Sequence, residues 1–425
     1  MKRRAAAALL TAFVALAAPA GAAAPLDLGG VPGYVVPDPG AALGSIQLIV
    51  RAGLDRQANA ESGLASLAAQ TILHAPSGGA TLADALAARG VSLNAVVGGQ
   101  YVRFVLDGQP EALAAAAPLV AEVLAKPPAD AATVGAARAA LLERAADAET
   151  DPRAVGLQML RNAYYRGGPA MPLFGTSETL ALLTPDDVGG FFTRWYVRGG
   201  ALVTVAGPPG AALESAARAL AAALPAGGAP QAATQTRPFG NEPRRIVTHR
   251  DVGGSYVLLG FAAPSPGNAD FPGFLVLRAL LGEIFESSEV TARPSFFRPS
   301  ATILIDEVTP AQFAFVINGR IVDPGVGLAA VDAVLKAAAA KPLANAVLQR
   351  YRDAAHGAWA IDNITLDERA SSVANVAAHG VDPAAIDAVG PAIAKVTAAD
   401  VQRVAKKYLQ KFDVALILPR QGSGS

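Results

Sequence analysis

The chain is 425 residues long, balances 35 Lys+Arg against 35 Asp+Glu, and is 52% hydrophobic but only 16% charged. That composition excludes a disordered protein, the length points to two domains, and zero net charge excludes a broad basic footprint for nucleic acid. The absence of cysteine excludes disulfides, thiolate metal sites and cysteine nucleophiles, and four histidines leave few residues with obvious chemistry.

In chain order, the first feature is the Lys-Arg-Arg segment within Met1–Arg4, followed by the mostly apolar run Ala5–Ala18, Pro19, and the small residues Ala20-Gly21-Ala22. The run is too short to span a bilayer, so residues 1–22 read as a secretory signal peptide cleaved near Ala22. No later apolar run is long enough to cross a membrane, so no span is expected in the mature chain. A cysteine-free exported protein points to a periplasmic location.

Residues 25–224 then read as one domain. Strand patterns at Tyr34–Val36 and Ser45–Ala52 precede helical patterns at Ser62–His74 and Leu82–Arg89. A strand pair, Ser92–Val97 and Gln100–Asp107, comes next. A long helical stretch runs from Glu111 to Tyr165, broken at Pro127-Pro128 and Asp151-Pro152. The half closes with a helix near Asp186–Tyr196 and a strand at Ala201–Val205.

The Pro-, Gly- and Ala-rich stretch Pro225–Pro243 reads as a linker to a second domain over residues 244–420. There the order repeats. Strands at Ile246–Thr248 and Ser255–Ala262 are followed by a helix at Phe271–Glu286 and a strand pair, Ala301–Asp306 and Gln312–Ile317. Helices then run from Val326 to about Tyr408, before a last strand at Asp413–Leu418. Thr184 with Asp187, and Thr397 with Asp400, set a capping pattern at the start of the last helix of each half, 213 residues apart. The expected class is α+β: two similar domains, each a mostly antiparallel β-sheet packed with helices, related by internal duplication.

The usual catalytic constellations are missing. His74, His249, His356 and His379 are too far apart in sequence for any two to share a helical turn, as a helix-borne zinc pair requires. There is no GxSxG elbow and no GxxxxGK phosphate loop.

The segment Val50–Leu73, VRAGLDRQANAESGLASLAAQTIL, resembles the opening of the inverted zinc peptidases: insulinase, pitrilysin and the mitochondrial processing peptidase. Arg51-Ala52-Gly53 matches the end of that family's first long strand, and Gly63-Leu64-Ala65 matches the residues before its HxxEH zinc helix. Ser92-Leu93-Asn94-Ala95 with Tyr101 and Phe104, Asp151-Pro152, Phe174-Gly175-Thr176 and Ser255–Phe271 extend the resemblance over nearly the whole mature chain.

The resemblance places Ser66, Ala69 and Gln70 where the family carries its two histidines and its general-base glutamate. It also implies a third ligand some seventy residues later, a place that either Glu143 or Glu149 can take. Neutral Ser and Gln are poor zinc ligands and Ala cannot accept a proton, so no metal is expected in this chain and zinc is expected only in a partner. His74, one turn beyond Gln70, either caps the helix C-terminus or acts as a relocated ligand. Arg293 and Arg298 precede a strand that lacks the tyrosine many family members use on substrate carbonyls. Asn94-Ala95-Val96 matches the family's peptide-binding strand, and otherwise reads as an ordinary core strand.

The resemblance thus implies a non-catalytic subunit that pairs in the periplasm with an active, HxxEH-bearing homologue and handles unfolded peptide. Two alternatives stand beside it: a metalloendopeptidase with a displaced zinc site built from His74, Glu143 or Glu149, and a stand-alone peptide-binding module.

Overall fold

The expected strands assemble into two sheets within the residues that the computed structural model describes, 21–165, 170–228, 244–286, 299–304, 312–317 and 324–420. Residues 1–20 of the expected signal peptide, residues 229–243 of the expected linker, and Arg293 and Arg298 lie outside that set.

The N-terminal half contributes β1 (Ala24–Pro25), β2 (Gly33–Pro37), β3 (Gly44–Val50), a small hairpin of β4 (Pro76–Ser77) and β5 (Ala80–Thr81), then β6 (Ser92–Val97), β7 (Val102–Gly108) and β8 (Ala201–Gly207). Without the hairpin these strands form one sheet in the order β1-β2-β8-β3-β7-β6. The C-terminal half contributes β9 (Arg245–Arg250), β10 (Tyr256–Ala262), β11 (Pro299–Leu304), β12 (Gln312–Ile317) and β13 (Phe412–Pro419), in the order β11-β12-β10-β13-β9.

With β1 set aside, the two orders match strand for strand. In each sheet three neighbouring pairs are antiparallel and one is parallel, β2 with β8 and β9 with β13. A shared order with the same senses is what duplication of one folding unit produces.

The helices of the first half are α1 (Leu64–Leu73), α2 (Leu82–Ala87), α3 (Pro110–Ala125), α4 (Ala131–Thr150), α5 (Pro152–Tyr164), α6 (Ser177–Leu182), α7 (Pro185–Trp195) and α8 (Ala211–Ala223). Those of the second are α9 (Phe271–Glu286), α10 (Pro324–Ala340), α11 (Asn345–Ile361), α12 (Leu366–Ala378), α13 (Ala384–Ala394) and α14 (Ala398–Tyr408). The capping pattern is met at both expected places: Thr184 with Asp187 opens α7, and Thr397 with Asp400 opens α14, each side chain accepting from the other residue's backbone N–H.

Helix α8 is an element that the sequence reading leaves out. Its Leu213, Ala216, Ala217, Leu220 and Ala221 are buried at helical spacing, and it packs lengthwise on α3. Residues 225–228 also belong with this half rather than with a linker, because Pro225 and Gly227 carbonyls accept from the N–H groups of Arg198 (2.9 Å) and Gly199 (3.0 Å).

One face of each sheet packs against its own half's helices. The other face is covered by a helix from the opposite half: α12 lies on β3 and β8, and α5 lies on β10 and β13. This explains why β3 and β8 are buried along their whole length. Ala370, Val373, Ala374 and Ala378 give α12 a small-residue face that seats against Val36, Ile49, Leu202 and Ala206. On the other side, Leu160 of α5 packs with Leu258, Ala415 and Ile417, and Gly156 lies so close that a Cβ there would stand 2.4 Å from Leu258.

Polar groups fix the register of α12. Gln47, fully buried on β3, donates from Nε2 to the Asp367 carbonyl (3.0 Å), Asp367 Oδ1 (2.7 Å) and Ser371 Oγ (3.0 Å). Thr204 Oγ1 donates to the Ala370 carbonyl at 3.2 Å, and Arg51 Nη2 donates to the Ala378 carbonyl at 2.8 Å near the helix C-terminus. Tyr101 OH donates to Asn375. Truncation of Gln47 therefore removes the side-chain bonds that hold Asp367 and Ser371 of α12 on the sheet. Gln47→Ala is expected to lower stability by about 1–3 kcal/mol, read as a shifted midpoint in urea unfolding with the native circular dichroism retained.

Candidate functional site

The site is built on α1, whose ten residues are all buried. The helix starts at Gly63, which has φ 96°, a conformation that penalises any side chain. A carboxamide from the preceding loop serves as its cap, Gln57 Oε1 accepting from Ala65 N at 2.9 Å.

Two further glycines fix the surroundings by close approach. A Cβ on Gly53 would lie 2.3 Å from Tyr101 N, so the Arg51-Ala52-Gly53 turn presses directly on the β6–β7 hairpin. Gly175, at φ 75°, faces Gly63, and a Cβ on it would lie 2.7 Å from the Ser62 carbonyl. The contact between Gly63 and Gly175 holds residues 172–176 against the start of α1 and puts Leu173 and Phe174 beside Ser66.

Ser66 and Gln70, one turn apart, line a cavity of about 210 Å³. Ala95, Val96 and Val97 of β6, Leu141 and Arg144 of α4, and Leu173 and Phe174 complete the wall. Ser66 Oγ donates to the Leu173 carbonyl at 2.5 Å. Ala69 is fully buried in the core and does not line the cavity.

The two glutamates proposed for this place are elsewhere. Glu143 is exposed on α4, and Glu149 lines a neighbouring cavity of about 420 Å³, bounded by α5 and by Leu173–Thr176. The α4 side chain that does reach the cavity is Arg144, which the sequence reading passed over. Leu141 and Arg144, three residues apart, lie on the helix face turned to α1, whereas Glu143 falls off that face.

His74 terminates α1, and its Nδ1 donates to the Gln70 carbonyl at 2.9 Å. It therefore takes the C-terminal capping position. Asn94, Ala95 and Val96 lie on β6, the edge strand of the sheet, with Asn94 exposed and Val96 37% exposed. This is an edge, not the interior of a core sheet: among the described residues no strand pairs with the outer side of β6.

Zinc needs lone pairs from imidazole or carboxylate groups. The polar wall here is one hydroxyl, one carboxamide and one guanidinium, and a guanidinium has no lone pair to give. Among the described residues no three His, Cys, Asp or Glu side chains gather closely enough to hold a metal. The donor set does not fit zinc.

A buried ionisable pair sits beside the site, in the loop between β3 and α1. Asp55 N donates to the Gly99 carbonyl (2.9 Å), and its carboxylate pairs with Arg56 at 3.4 Å. Burial pushes the Asp55 carboxyl up from 3.8 to about 6, against the opposing pull of the Arg56 and Arg51 charges.

No family model matches this chain, and no curated protein is detectably similar to it in sequence. Solved structures are similar in fold. A protease from Helicobacter pylori superposes with a TM-score of 0.84 at 16% identity, over 95% of this chain and 100% of the other. The peptidase M16 inactive domain from Pseudomonas fluorescens gives 0.82 at 15% identity, over 95% and 100%. The periplasmic protease PqqL from Escherichia coli gives 0.72 at 14% identity, over 95% of this chain and 47% of that longer one. The chain has the fold of the M16-like peptidases, as the resemblance to the inverted zinc peptidases implied.

Two outcomes follow from this geometry. Gly175→Ala strains a positive φ and drives a methyl into the Ser62 carbonyl, so it is expected to cost about 1–3 kcal/mol, measured by chemical denaturation. Asp55→Asn tests the buried acid. Because the folded value lies above 3.8, the stabilisation from the protonated acid is fully present below pH 3.8 and is lost as pH rises through about 6. The variant is expected to exceed the wild type by about 1–3 kcal/mol at pH 8 and to lose that advantage near pH 4, followed by thermal unfolding across that range.

Proposed function

We propose that the chain is a non-catalytic member of the inverted zinc peptidase family, exported to the periplasm, where it pairs with an active HxxEH-bearing homologue. The observation that carries this reading is the wall of the α1 cavity. Ser66 and Gln70 stand one helical turn apart beside an open sheet edge, where the resemblance assigns the family's two histidines, yet the cavity holds no imidazole and no carboxylate. Without a group to ligate zinc or to take a proton from water, the site has no means of activating a nucleophile. The likeness to a peptidase M16 inactive domain agrees with loss of chemistry on a kept fold, and the likeness to PqqL, itself a periplasmic protease, agrees with the export expected from residues 1–22.

What the arrangement can still do is hold peptide. The outer edge of β6 offers main-chain N–H and C=O groups to an extended segment, whose backbone can pair with Asn94-Ala95-Val96 whatever its side chains. The adjoining cavity and its larger neighbour, which share Leu173 and Phe174, accept side chains from such a segment. In a pair with an active subunit, this surface would form one wall of a chamber for unfolded peptide, and the zinc chemistry would belong to the partner.

The test is zinc content and peptide cleavage by the purified mature chain, alone and mixed with its nearest HxxEH-bearing relative. The expected result is no stoichiometric zinc, no cleavage alone, and faster cleavage in the mixture than by the relative by itself. One zinc per chain with chelator-sensitive cleavage by the chain alone would instead establish a displaced site using His74, Glu143 or Glu149. Peptide binding with no effect on the relative would leave a stand-alone binding module.

A further inference from the structure

Three polar residues line the α1 cavity, Ser66, Gln70 and Arg144, and none of them is acidic. Gln70 is 5% exposed, and its carboxamide, on the cavity wall, makes no hydrogen bond with any described residue. The Arg144 guanidinium on the facing helix likewise has no hydrogen bond or ion pair among the described residues. Ser66 has its hydroxyl hydrogen committed to the Leu173 carbonyl. No acidic side chain lines the cavity, and Ala95, Val96, Val97, Leu141, Leu173 and Phe174 make the rest of it apolar.

The Gln70 carboxamide brings N–H donors to a wall whose other side chains give them no partner. A guanidinium at an apolar wall adds a permanent positive charge and a planar set of donors that suits a carboxylate. Arg144, exposed on α4, is the one charged residue that lines the cavity, and its charge is positive.

We infer that the cavity beside β6 is a carboxylate-binding subsite in which Arg144 and the Gln70 amide grip a peptide carboxylate, while the apolar wall receives the side chain next to it. This deepens the peptide-holding role proposed above, since the carboxylate would arrive on a segment lying along β6. Two sources share that chemistry, a free peptide C-terminus and an Asp or Glu side chain within a longer peptide. The subsite makes the chain selective for peptides carrying a carboxylate near their apolar residues.

The primary probe is N-acetyl-leucine, titrated into the full mature chain and followed through the side-chain ¹H–¹⁵N resonances of Gln70, with N-acetyl-leucinamide as the neutral comparison. The acid is expected to shift the Gln70 signals and to bind at least about tenfold more tightly than the amide, with a preference that weakens as salt is raised. Arg144→Gln, at a solvent-accessible helix position, should abolish the preference. Gln70→Glu should abolish it too, by placing a competing carboxylate against Arg144. Equal binding of acid and amide, or an unchanged preference in Arg144→Gln, would overturn the inference.

A second series of longer peptides, each as free acid or C-terminal amide and with Glu or Gln inside, then separates the two sources. Loss of affinity on amidation identifies the C-terminus, and loss on Glu→Gln exchange identifies the side chain. Loss on neither change counts against the subsite. The small-acid titration does not involve a second subunit, so failure to stimulate an HxxEH-bearing relative would count against the pairing reading and leave the carboxylate result intact.

Discussion

The constraint on which the rest of the molecule depends is that neither sheet can cover both of its own faces. Each half has enough helices to bury one face and leaves the other apolar, and water-exposed strands as hydrophobic as Gly44–Val50 and Ala201–Gly207 would cost many kcal/mol. The solution is reciprocal: α12 of the second half covers β3 and β8, and α5 of the first covers β10 and β13. Buried Gln47 and Thr204 make the seam specific as well as apolar, since a slip of α12 along the sheet would leave their hydrogen-bonding groups without partners.

That exchange positions the candidate site. While α12 covers β3 and β8, α1 packs on β6 of the same sheet, and the turn after β3 is held at a fixed distance from the β6–β7 hairpin through Gly53. The Gly63–Gly175 contact then brings Leu173 and Phe174 to Ser66. The loop wall of the cavity is thus set by backbone close approach, which accounts for the glycines in the segments that carry the family resemblance. Within this geometry the wall holds a hydroxyl, a carboxamide and a guanidinium, and no imidazole or carboxylate.

Much of this is legible in the residues, though unevenly. Strand pairing, the repeat and the caps at Thr184 and Thr397 follow from short-range patterns, and they appear as expected. The alignment of Ser66 and Gln70 on one face is plain helix geometry. Helix α8 follows the strand read as the end of the first half, so the sequence reading stops short of it although Leu213, Ala216, Ala217 and Leu220 recur at helical spacing. Arg144 shares a helix face with Leu141, but nothing local in the sequence says that this face is the one turned to α1. The edge position of Asn94–Val96 was not decidable either, since an apolar strand reads alike at the rim and in the middle of a sheet.

What the sequence determined by itself is therefore what depends on near neighbours and periodicity: the α+β class, the doubled order of elements, the helix that carries Ser66, Ala69 and Gln70, and the lack of zinc ligands upon it. The tertiary structure alone decided which helix covers which sheet, that β6 lies at a rim, and that Arg144 rather than Glu143 or Glu149 lines the cavity with Gln70. These are contacts between residues tens to hundreds of positions apart. They are selected by burial and by the pairing of polar groups over the whole chain at once, and no local pattern encodes them.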